Sequence, residues 1–142
     1  MNKEIALRIV LAFVGLAHLV LGLLANLAPP ELLVKIVSAF YGANIEVTAQ
    51  AHHVLRILGA FMIGIGVMAL LACRDPRRNQ AIIMGIITVL VLRVIQRVVL
   101  AREISSTFNI SPAHLWAQAA FFLIVAIALF VLRPKPTPAS PG

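Results

Sequence analysis

Acidic side chains are scarce in this chain. Its 142 residues hold five Asp and Glu against twelve Lys and Arg, and none of the five lies inside a long apolar run. Cysteine is nearly absent. Cys73 alone cannot close an internal disulfide, and a cysteine-based metal site is excluded. It ends an apolar segment and reads as a small buried hydrophobe in preference to a palmitoylation site. Charge of either sign is thin, at 12% of residues, where a soluble domain carries about a quarter. No His/Cys/Asp/Glu set has zinc spacing. No Gly-rich phosphate loop follows a strand, and Ser105, Ser106, Thr107 and Ser111 have no acid–base partner at a useful spacing. The net charge of +7 would suggest nucleic acid in a soluble protein, but no basic run interleaves with aromatics, and a nucleic-acid role is excluded.

What the chain has is hydrocarbon. Hydrophobic residues make up 61% of it, and its mean hydropathy is +1.01. This is the composition of a membrane protein, and the length suits one helical domain over 1–132. Four spans are expected, at about 5–28, 51–73, 79–101 and 113–132, each long enough for a hydrocarbon core of about 30 Å. The first run superficially resembles a signal peptide. It is long enough to span and no small-x-small site follows, so it reads as an uncleaved anchor. Pro29-Pro30 ends it, since neither proline can donate a helix hydrogen bond. Between the first two spans, Leu32, Leu33, Ile36, Val37 and Phe40 recur at helical spacing, which predicts a short amphipathic helix in the interface over 31–41. Residues 42–50 and 102–111 read as polar connections. Ser111 and Pro112 form a cap and first turn for the last span. The Pro-rich tail, 133–142, is expected to be disordered and cytoplasmic.

Lys and Arg beside membrane helices favour the cytoplasm. Lys3, Arg8, Arg74, Arg77, Arg78, Arg133 and Lys135 fall on one side, and Lys35 and Arg102 on the other. Both termini are therefore expected inside. This orientation gathers polar residues in the outer leaflet: His18 and Asn26 from the first helix, His52, His53 and Arg56 from the second, Arg93, Gln96 and Arg97 from the third, His114 and Gln118 from the fourth.

Arg93 and Arg97 set the sharpest problem. Four residues apart, they share one helix face. Each Arg at a helix centre costs about 2.5 to 3.5 kcal/mol, and each Leu, Ile or Val returns about 0.3 to 0.6. The roughly thirteen branched aliphatics around them return about 4 to 8 kcal/mol against about 5 to 7 for the two arginines, so the helix needs partners. Snorkelling to headgroups accounts for Arg97 and Arg56 better than for the deeper Arg93. A guanidinium fork suits carboxylate or phosphate, and Glu46 is the best placed counter-ion. The expected site is an outward-facing cavity lined by Arg93, Arg56, Arg97, His18, His52, Gln96, His114 and Gln118. It would hold an anionic amphiphile such as a lipid headgroup or a quinone. The alternatives are a haem-binding electron-transfer subunit, with His18 and either His52 or His114 as axial ligands, and a structural subunit whose polar residues dock on a partner.

The run Leu55-Arg56-Ile57-Leu58-Gly59-Ala60-Phe61, Arg74 just past it, and Leu92-Arg93-Val94-Ile95-Gln96-Arg97 resemble the small bacterial four-helix membrane proteins of the BphX-like and DoxX-like type. The likeness covers most of 5–132, and on it Arg56 and Arg93 are the positions that carry over. It implies an all-α integral membrane four-helix bundle in a bacterial inner membrane. Membrane lipids, self-association or other subunits of a quinone-linked redox complex would be its partners, and its role would be accessory rather than enzymatic. Cysteine labelling tests the topology: Arg77→Cys should react only from the cytoplasmic side and Asn44→Cys only from outside, and labelling of Arg77→Cys from outside would overturn it.

Overall fold

The computed structural model describes residues 2–43 and 48–134, and every regular element in them is a helix. In chain order these are α1 (Lys3–Leu27), α2 (Pro30–Tyr41), α3 (Ala49–Arg74), α4 (Gln80–Val99), α5 (Ala101–Phe108) and α6 (Pro112–Leu132). Glu46, position 44 and the tail from 135 onward lie outside the described residues.

The ends of the helices follow local chemistry. The side chain of Asn2 accepts from the Glu4 amide at 3.2 Å and opens α1. Ala28, held extended by the proline that follows, closes it. Thr48 caps α3 by accepting from the Ala51 amide at 3.1 Å. Ser111 caps α6 by accepting from the His114 amide at 3.3 Å, with Pro112 in the first turn. Gly42, at φ 63°, ends α2 in the left-handed conformation that glycine adopts without penalty. The departure from expectation is α5, an eight-residue helix where the composition reads as a loop. Its polar residues outnumber its apolar ones, which hides it from hydropathy. Its Ala101 and Ile104 nevertheless pack on a small core of Ala43, Ile110 and Leu115, beside Val37 and Tyr41 of α2.

Four helices, α1, α3, α4 and α6, are long and apolar enough to cross a membrane. The shortest, α4, has 20 residues and reaches about 30 Å at 1.5 Å per residue, the thickness of a hydrocarbon core. Their outer faces carry exposed Ile9, Phe13, Leu16, Val20, Phe61, Val67, Ile124 and Ile127. Water would penalise such a surface and lipid does not.

Packing is uneven. α1 lies against α3 along most of its length and α4 lies against α6; contact between the two pairs is slighter. A methyl added at Gly22 would stand 2.6 Å from the Gly59 carbonyl oxygen and 2.9 Å from the Ile63 amide nitrogen. One added at Gly66 would stand 2.9 Å from the Gly15 carbonyl oxygen. Backbone meets backbone at two levels, the close approach that small residues permit between membrane helices. Below this, Leu7, Leu11, Ile83, Leu90 and Leu129 form the main apolar core. At the far end Glu4 pairs with Arg8 at 2.9 Å and Arg77 at 3.5 Å, and the Cys73 thiol donates to the Arg8 carbonyl at 3.3 Å. These exposed pairs contribute little energy. They do place the start of α1 and the basic α3–α4 turn at the same end of the molecule.

Matched substitutions test the close approach. Gly22→Ala should lose about 1 to 3 kcal/mol through overpacking against the α3 backbone. Gly64→Ala, with no neighbour within 4 Å, should gain about 0.5 to 1 kcal/mol from helix propensity. Thermal unfolding of the detergent-solubilised variants separates them, and equal behaviour would dismiss the contact.

Candidate functional site

The site is built on α4. The spacing of Arg93 and Arg97 places both guanidiniums beside α6, with their central carbons 5.4 and 4.9 Å from the centre of the Phe122 ring. Each such cation–π contact contributes about 0.5 to 2 kcal/mol, more where water is excluded. Beyond that the two arginines differ. Arg97 donates twice to the Gln118 side-chain oxygen, from Nε at 3.2 Å and Nη2 at 3.0 Å. Among the described residues Arg93 has neither a hydrogen-bond acceptor nor a carboxylate partner. Glu31 and Glu103 are exposed and form no ion pair among these residues. The expected counter-ion, Glu46, lies outside them.

Gln118 works in both directions. Its amide nitrogen donates to the Phe40 carbonyl at 3.2 Å, and His114 Nε2 approaches the same oxygen at 3.4 Å. That carbonyl belongs to the last turn of α2, where helix geometry leaves acceptors without a partner. The α2 end is thereby tied across the top of α6.

Three cavities meet around these groups. The first, about 360 Å³, lies among α1, α2, α4 and α6, with Val14, His18, Phe40, Tyr41, Arg93 and Phe122 in its wall and Met62 as the contribution of α3. The second, about 340 Å³, lies among α1, α2, α3 and α4 and reaches Arg93, Gln96 and Arg97. The third, about 230 Å³, lies under α5 and touches Tyr41, Arg97 and Gln118. Apart from these few polar groups the walls are aliphatic and aromatic.

His18 is 8% exposed. Its Nδ1 lies 2.9 Å from the Val14 carbonyl, an acceptor, so Nδ1 carries the proton. In the neutral ring Nε2 is then a bare acceptor, and it is buried with no partner among the described residues. The His18 ring thus helps wall the cavity that Arg93 borders, with its Nε2 enclosed by protein.

Of the eight residues singled out by sequence, Arg93, Arg97, His18, Gln96, His114 and Gln118 border these cavities. Arg56 and His52 border none of the three. Gly59 lies against Asn26 and Gly22, so Arg56, one turn nearer the start of α3, stands level with the end of α1 and is exposed. His52 is partly covered, with Nε2 enclosed and unpartnered among the described residues. Sequence reasoning missed Phe122, Tyr41 and Phe40. Phe122 had a signal: it follows His114 and Gln118 at the same spacing of four. Among the described residues no three His, Cys, Asp or Glu side chains gather closely enough to hold a metal ion. In comparisons with known proteins, no family model, curated protein or solved structure matches the chain.

An unsatisfied buried nitrogen costs about 1 to 3 kcal/mol. His18→Leu removes that cost, and the Val14 carbonyl retains its helical bond. The ligand-free variant should therefore unfold at a temperature equal to or above that of the wild type. A marked loss of stability would show that His18 serves the fold.

Proposed function

We propose that the protein is a small integral membrane accessory protein, a four-span bundle of the BphX-like and DoxX-like type, that holds an anionic amphiphile beside Arg93. In this reading both termini are cytoplasmic, the membrane is a bacterial inner membrane, and α2 lies in the outer interface over the site. The observation that carries it is Arg93: a guanidinium bordering two apolar cavities with no acidic partner among the described residues. A charge so placed is expensive in hydrocarbon and marks a functional position by default. A fork of N–H donors recognises a phosphate or carboxylate, and apolar walls accept the chain that carries it. A quinone would use the same donors through its carbonyl oxygens, with a weaker charge match.

The test is the bound lipid. Protein purified in a neutral detergent should retain anionic lipid, and Arg93→Leu should lose it by about tenfold or more, as expected for a charge-assisted hydrogen bond of about 1.5 to 3 kcal/mol. Identical lipid content in the two preparations would remove the proposal and favour docking on a partner subunit. A Soret absorption band lost in His18→Ala would replace it with haem ligation, in which His18 and His114 are the two histidines that share a cavity.

A further inference from the structure

The first and second cavities share a wall. Leu21, Tyr41, Met62 and Arg93 border both. Arg93 therefore stands at a junction, with an apolar chamber of about 360 Å³ toward α6 and one of about 340 Å³ toward α3. The other polar groups are divided between the two sides: His18, His114 and Gln118 border the first chamber, Gln96 and Arg97 the second. Neither chamber is closed, so a chain longer than its chamber runs on into the surrounding lipid.

A single-chained amphiphile with its head at Arg93 fills one chamber and leaves the other to be filled by a separate chain. A second chain tethered to the same head reaches that chamber at high effective concentration. A head bearing two chains fills both. Resting on the reading above, we infer that the occupant is a two-chained anionic lipid whose phosphate sits at Arg93 with one acyl chain in each chamber. The charge is complementary: the junction carries Arg93 with Arg97 one turn away, and the described residues supply no carboxylate to compete. Phosphate matches the guanidinium fork. Phosphatidylglycerol carries that phosphate, a net negative charge and two acyl chains, and serves as the probe.

Native mass spectrometry of the full chain in a neutral detergent tests the inference with three lipids: phosphatidylglycerol, its single-chained lyso form, and zwitterionic phosphatidylcholine. A second chain held beside its chamber by the shared head need not be recruited from the micelle, so phosphatidylglycerol should bind at least about tenfold more tightly than the lyso form. It should also exceed phosphatidylcholine. Ala117→Trp fills the first chamber from an exposed position on α6, and Leu58→Trp fills the second from an exposed position on α3. Each should bring the two-chain to one-chain ratio close to unity while the lyso form still binds. Equal binding of the two forms by wild type overturns the inference, as does an unchanged preference in both tryptophan variants. The wild-type comparison decides even where a variant fails to fold. If wild type ignores chain number but Arg93→Leu still loses phosphatidylglycerol, the Arg93 reading stands and only the two-chained occupant falls. If Arg93→Leu binds phosphatidylglycerol as wild type does, both fall.

Discussion

Two guanidiniums on one face of an apolar helix, with no carboxylate paired to either among the described residues, set the terms for the rest of this molecule. The sequence could have neutralised them with an aspartate or glutamate on a facing helix. It supplies a glutamine and a phenylalanine instead. Gln118 satisfies donors on Arg97 without cancelling its charge, and the Phe122 ring accepts both cations on its face. A buried ion pair would have been self-contained, its charge spent on its own partner. The arrangement present leaves positive potential in a low-dielectric seam, where an anion is worth far more than in water. The fold settles Arg97 and leaves Arg93 open.

The chambers beside Arg93 follow from the glycines. α1 and α3 approach until backbone touches backbone at Gly15–Gly66 and Gly22–Gly59, and α4 and α6 form the second pair. Four helices packed at even spacing would share their side chains across every interface. Here tight contact is concentrated within one pair. The seam between the pairs is filled near the termini by Leu7, Leu11, Ile83 and Leu129, and left partly empty toward the other end, where Leu90 borders the first cavity. Close packing in one place produces open volume in another, and Arg93 projects from α4 at that seam.

The fold was largely legible in the residues, and the site only in part. Four spans, their caps at Ser111 and their stop at Pro29-Pro30 follow from hydrophobic length, missing donors and side-chain oxygens, all local properties of the chain. Helical period alone puts Gly15, His18, Gly22 and Asn26 on one face of α1. α5 was not legible, because only Ala101 and Ile104 anchor it and its exposed residues dominate any average. Arg56 was expected in one cavity with His18 because the orientation of the helices puts both in the outer leaflet. Where α1 runs out beside α3 is a matter of register between helices, which no single-helix pattern contains. Phe122 was hidden for a different reason. In an apolar run an aromatic ring reads as lipid-facing bulk until the cations on the opposite helix are seen.

The identity of residue 118 closes the argument about the polar network. Its oxygen accepts from Arg97 and its nitrogen donates to the Phe40 carbonyl at the end of α2. Glutamate would serve the arginine better as an ion pair, but it presents only acceptors when ionised and would face the Phe40 carbonyl oxygen with like charge. Lysine or arginine would satisfy the carbonyl and repel Arg97. An amide offers an oxygen with two lone pairs for both Arg97 donors and an N–H donor for the carbonyl on one short, planar group. The same side chain therefore holds the second guanidinium and anchors the helix that roofs the cavities. Position of the roof and position of Arg97 are not independent, since one amide fixes both, and Arg93 is the donor set that this closed chain of bonds leaves unused.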